Sequence, residues 1–140
     1  MATALKLRAV DADDLQVISA ILQDALVPVA ETAYLPDERR FVLVANRFRW
    51  EPGIDGIRHE FERTLTGLCI DNVLNVQRRG FSPAEGDRIL ALLALGVEGS
   101  ALTLHFAGGS AIRIEVEEIS CRLDDLGEPW PTRWRPRHPD

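Results

Sequence analysis

The pattern of hydrophobic and polar positions changes period near residue 39. Before it, Leu15, Ile18, Leu22 and Leu26 recur at spacings of three and four, with Val17, Ile21 and Ala25 beside them. That spacing predicts an amphipathic helix over about residues 12–26. Asp11 or Asp13 offers a cap, Asp13 and Asp14 suit the positive end of the helix dipole, and Pro28 stops the helix. The alternating stretch from Leu5 to Val10 reads as an edge strand.

From Arg39 the period is two. Phe41 to Trp50 is β-branched and aromatic, Pro52-Gly53 and Asp55-Gly56 bound it, and Ile57 to Ile70 returns from that turn. Placing Trp50 opposite Ile57 sets Phe48 against His59, Asn46 against Phe61 and Val44 against Arg63 on a mostly apolar face. The other face then pairs Arg49 with Arg58, Arg47 with Glu60 and Ala45 with Glu62. A bulge is expected near Gly67, where the apolar phase slips. Asp71-Asn72 then turns into a strand over 73–79.

Ser82-Pro83-Ala84-Glu85 has the form of a capping box with proline at the first helical position. Gly86 and the hairpin-like Glu98-Gly99-Ser100 instead favour a turn at 83–86 and a strand over about 88–97, with helix the competing reading. In the last hairpin, a three-residue turn Gly108-Gly109-Ser110 pairs Phe106 with Ile112, Leu104 with Ile114 and Leu102 with Val116. Ile119, Leu123 and Leu126, closed by Gly127, predict a short C-terminal helix. The expected fold is α+β over residues 1–128: an antiparallel meander of about six strands, open to barrel-like closure, covered by the two helices. Residues 129–140 form a tail with four of the chain's eight prolines.

Composition narrows the function classes. With 140 residues, 46% hydrophobic, the chain is a single soluble domain rather than a disordered segment. A net charge of −6 argues against nucleic acid as the default partner, because phosphate binding needs a basic surface. No apolar run is long enough to cross a membrane. Cys69 and Cys121 form no CxxC pair and read as reduced thiols, and the N-terminus lacks a signal-peptide core, so a cytoplasmic location is expected. His59, His105 and His138 fall in separate segments, and no phosphate-binding glycine loop is present, so no metal or cofactor is expected.

Three constellations could carry chemistry. Asn46, His59 and Arg63 project together from the first hairpin, where a histidine can act as acid or base; a hydrogen-bonded core histidine is the plainer account. Arg47, Arg49 and Arg58 with Glu60 and Glu62 could converge on an anion, or form cross-strand ion pairs on a solvated face. Trp50 closes that strand, and in the tail Trp130 and Trp134 interleave with Arg133, Arg135 and Arg137. Such a segment stacks on a partner or folds back over its own domain.

The chain resembles, end to end, a bacterial family known only as domain of unknown function 2948. The resemblance rests on Asp14-Leu15, Ile18-Ser19 and Gln23-Asp24-Ala25, on Arg40-Phe41 and Asn46-Arg47-Phe48-Arg49-Trp50-Glu51, and on Phe106-Ala107-Gly108-Gly109 with Ala111-Ile112-Arg113. Leu123, Asp125-Leu126-Gly127 and Trp130 complete it, with Asn46 to Glu51 the most distinctive piece. It implies a small cytoplasmic domain and brings no activity, cofactor or catalytic residue. The functional expectation is a non-enzymatic binding or adaptor domain for a protein or small anionic partner. The alternatives are a small enzyme around His59, Asn46 and Arg63, and a homo-oligomeric structural module.

Overall fold

A computed structural model describes residues 5–49 and 62–126. They form one helix and ten strands: β1 (Lys6–Ala9), α1 (Ala12–Leu22), β2 (Leu26–Pro28), β3 (Thr32–Leu35), β4 (Arg40–Arg49), β5 (Glu62–Ile70), β6 (Val73–Arg79), β7 (Ile89–Glu98), β8 (Ala101–Phe106), β9 (Ala111–Val116) and β10 (Cys121–Asp125). Asp11 caps α1 by accepting from the Asp14 N–H at 2.8 Å. The helix ends well before Pro28. Asp24 takes a left-handed φ of 69°, its N–H donates to Leu92 O, and Leu92 N–H donates to Ala25 O. Helical spacing continues to Leu26, but the neighbouring ladder claims these backbone groups first.

The strands make one antiparallel sheet in the order β1-β10-β5-β4-β2-β7-β8-β9-β6, with β3 also on β4. The sheet is open, with β1 and β6 at its edges, so the barrel-like closure and the simple meander are both corrected. β2 joins the two halves: Leu26 pairs with Asn46 of β4 and with Ala91 of β7. α1 lays Leu15, Ile18 and Leu22 onto the inner face, in one core with Phe41, Leu68, Leu92, Leu104, Ile114 and Leu123. Each such side chain contributes about 1.5–3 kcal/mol by leaving water.

The sheet replaces the predicted C-terminal helix with β10. Cys121 and Leu123 face inward, and β10 lies between β1 and β5. Ile119, Leu123 and Leu126 fit a helical spacing, but Cys121 and Leu123 also fit a period of two, and two waiting strand edges decide it. The 88–97 strand is present as β7. Of the Ser82–Glu85 box only Ser82 N–H to Glu85 Oε1 forms, at 3.4 Å; Ser82 Oγ accepts from the Ala84 N–H at 3.1 Å and the Glu85 N–H donates to Ser82 O, closing a turn rather than a helix.

In the β8–β9 hairpin the buried face is as expected, but the register differs by two. Leu104 pairs with Ile112 and Leu102 with Ile114. The loop is Ala107–Gly109, with Gly108 and Gly109 at φ 82° and 86°. A two-residue slip keeps every side chain on its face, so hydrophobicity alone cannot choose between them.

The largest correction concerns β4. Arg49 pairs with Glu62 and Phe48 with Arg63, so Phe48 does not face His59, and no bulge occurs at Gly67. The inward side chains are Phe41, Leu43, Ala45 and Arg47, while Val42, Val44, Asn46 and Phe48 alternate outward. The faces are the reverse of those expected. Arg47 is tolerated inside because Asp125 of β10 meets its guanidinium in two bonds, Nη2 to Oδ2 at 2.7 Å and Nε to Oδ1 at 3.0 Å. Both side chains are almost fully covered, at 7% and 3% exposure. Asp125 also accepts from the Leu5 N–H at 3.0 Å. Thr66, its ladder partner, is wholly buried beside it. The Thr66 hydroxyl has no hydrogen bond of normal geometry, yet it is near enough to favour the carboxylate.

Removing one member of this pair leaves the other buried and unmatched. Arg47→Ala or Asp125→Ala is expected to cost about 3–5 kcal/mol in urea unfolding, while Arg47→Met with Asp125→Leu recovers most of it. Burial works against the Asp125 charge, but the hydrogen bonds from Arg47 and Leu5 and the Arg47 charge outweigh it and hold the carboxyl below its usual range. The stabilisation is therefore complete above the unfolded carboxyl pKa of about 3.9 and fades as pH falls through the lower folded value. An Asp125→Asn variant loses that part of the acid dependence. Equal acid slopes in the two proteins would refute the assignment.

Candidate functional site

With β4 and β5 buried on one side, their alternate residues make the outer face of the sheet. Across it, Leu26, Asn46 and Leu65 share one row, Val44, Gly67, Asp124 and Lys6 the next, and Ala33, Val42, Cys69, Arg122 and Arg8 a third. Leu126 closes the first row through its N–H to Leu65 O at 2.9 Å. Its side chain lies 3.8 Å from where a Cβ on Gly67 would stand. Val42, Val44 and Leu65 are half-buried and take no part in the core, which lies on the other side. Leu126 is 43% exposed. The result is an apolar strip across β5, β4 and β2 that ends at Leu126, while β10 itself turns Arg122 and Asp124 to this face.

Polar groups bound the strip at both ends. At one, Arg63 sits 4.0 Å above the Phe48 ring and donates to Asn46 O at 3.3 Å and Asn46 Oδ1 at 3.4 Å. Two of the expected site residues, Asn46 and Arg63, thus meet. Arg47 does not join them: it is inside, bound to Asp125. Arg49 is described only through its backbone pairing with Glu62. Trp50, Arg58, His59, Trp130, Arg133 and Trp134 lie outside the described residues.

At the other end, Asp71 gathers three side chains, one from the start of β4 and two from the start of β10. Arg40 Nε reaches its Oδ1 at 2.9 Å, Ser120 Oγ reaches Oδ2 at 3.5 Å, and Arg122 Nε lies 3.8 Å from Oδ2. Arg122 Nη2 also donates to Cys69 Sγ at 3.2 Å. The backbone ties the same corner, with Asp71 N–H to Ser120 O and Val73 N–H to Arg39 O, both 2.9 Å. Sequence reasoning missed this cluster. It depends on β10 pairing with β5, which no local pattern reveals. Burial is the main reason the Cys69 thiol is pushed above its ordinary range; Asp71 adds to it, and Arg122 and Arg40 only partly offset it. Cys121, also a free thiol, is driven up to about 12, chiefly by burial.

A family model described as "Protein of unknown function (DUF2948)" matches residues 5–138. The chain belongs to the DUF2948 family. Comparison with curated proteins returns no match, and comparison with solved structures returns none either.

Elsewhere on the DUF2948 domain the polar groups serve one another. Glu98 accepts from Thr103 Oγ1 at 3.0 Å and faces His105 Nε2 at 3.3 Å, and Arg113 binds Glu115 at 2.9 Å. A concavity of about 120 Å³ lies between β1 and α1, lined by Leu7, Arg8, Asp14, Val17 and Ile18. Among the described residues no group of three histidine, cysteine or acidic side chains could hold a metal ion. No helix among them is long and apolar enough to cross a membrane.

The Asp71 cluster yields a direct test on Cys69. In Asp71→Asn the carboxylate's contribution disappears while Arg40 and Arg122 remain, so the thiolate becomes easier to form. The pH–rate profile for iodoacetamide alkylation of Cys69 should move to lower pH, with Cys121 unreactive near neutrality in both proteins. An unchanged or higher midpoint would show that Asp71 does not act on this thiol.

Proposed function

We propose that this DUF2948 domain is a non-enzymatic binding module that engages a protein partner through the outer face of β10, β5 and β4. The observation that carries the reading is the strip of Val42, Val44, Leu65 and Leu126, set apart from the core and bounded by polar clusters. A contiguous apolar patch with a polar rim is the usual anatomy of a protein-docking surface. Arg63 at one end, and Arg8 and Arg122 with Asp71 and Asp124 at the other, rim the strip with charges of both signs. They favour a partner whose apolar anchor is flanked by polar and charged groups. A small anion is the weaker candidate, because Arg47 is already neutralised by Asp125.

The experiment is site-specific photo-crosslinking in the native host, with benzoylphenylalanine at Val44 or Leu65 and, as control, at Gln77 on the exposed side of β6. The expected outcome is one heterologous protein captured from both strip positions and not from Gln77, and lost when Val42→Asp is added. Capture only of a second copy, or the same products from all three positions, would overturn the reading.

A further inference from the structure

The chain itself carries a segment suited to the strip. We infer that residues 127–140 fold back across the outer face, with Trp130 and Trp134 covering the row that runs from Leu65 past Asn46 to Leu26 and Ala91. The inference shares its surface with the binding reading above, but needs no partner to be true.

Three observations support it. The first is the point of departure: Leu126 is already bonded to Leu65 O and leans over Gly67, so the next residues leave from the edge of the strip. Gly127 follows directly and accepts the tight reversal that crossing the strands requires.

The second is reach. Crossing from β10 over β5 to β4 spans two strand spacings, about 10 Å, and continuing to β2 and β7 brings the distance to about 19 Å. Trp130 is four residues beyond Leu126 and Trp134 eight, which extended chain covers at up to about 3.4 Å per residue. Trp130 therefore reaches β4, and Trp134 reaches Leu26, Ala91 and the exposed Leu93 beyond them.

The third is chemistry. Two indoles in a proline-rich segment are costly to leave in water, and the prolines keep it extended at little cost in conformational freedom. The segment carries Arg133, Arg135 and Arg137 against Glu128 and Asp140, a net +1 on a chain with a net charge of −6. The far end of the row lies beside Asp24, an exposed acid in the turn that enters β2. Asp124, paired with Gly67, sets a further carboxylate on the row next to Leu65. The segment is thus the occupant of the strip.

The test uses the full-length chain with a single tryptophan: Trp50→Phe with Trp130→Phe to report on Trp134, and Trp50→Phe with Trp134→Phe to report on Trp130. Each remaining indole is expected to emit at the short wavelengths of a covered ring. Acrylamide should quench it several-fold less than free tryptophan amide, with no change on dilution. Adding Leu65→Asp or Val44→Asp should restore free-indole quenching while circular dichroism stays that of the folded sheet. Free-indole quenching in the parent variants would overturn the inference, as would protection that falls on dilution, which assigns the strip to a second copy. Protection that survives in a folded Leu65→Asp or Val44→Asp chain would place the segment elsewhere and overturn it too. A free tail together with a heterologous crosslink at Val44 would sink this inference and leave the binding reading standing. A covered tail whose only crosslinks are intramolecular would do the reverse.

Discussion

Everything on the outer face follows from the direction in which Arg47 points. Side chains alternate along a strand, so one choice at Arg47 sets the side taken by every residue of β4. With its guanidinium inside, Phe41, Leu43 and Ala45 join the core and Val42, Val44 and Phe48 are left out. The inward arginine is sustained because Asp125 offers both carboxylate oxygens at 2.7 and 3.0 Å. Buried and unpaired, a guanidinium would reverse the strand or unfold it.

The pair also links distant parts of the chain. Arg47 and Asp125 are 78 positions apart, and Asp125 further holds Leu5 at the start of β1. Two segments near the chain's ends are thereby fastened to its middle. A hydrophobic residue at position 47 would fill the site without specifying which strand lies across from it, whereas an arginine needing a carboxylate does.

Features decided within a few residues were legible in the sequence: the Asp11 cap, the start of α1, the β6 and β7 strands and the inward faces of β8 and β9. The end of α1 was not, because Asp24 and Ala25 are captured by Leu92, far along the chain. β10 was misread because a short run containing Cys121 and Leu123 fits either period until a neighbouring strand selects one. The β4 phase was misread for a related reason: a charged residue scores as outward unless its counter-ion is known. Of the expected site, Asn46 and Arg63 do meet beside Phe48. The Asp71 cluster was invisible because its members come from strand ends that adjoin only through the order β10-β5-β4.

β2 is three residues long and is the one strand that pairs with both halves of the described sheet. Its last residue, Pro28, has no N–H to contribute. The helix, lying over β7, β1 and β4, therefore acts as a clasp across this seam. Thermal opening should begin there, with α1 lifting and β2 parting from β7, while each half keeps its own ladder for longer. The domain is thus built like a hinged locket, whose weakest line runs alongside Leu26.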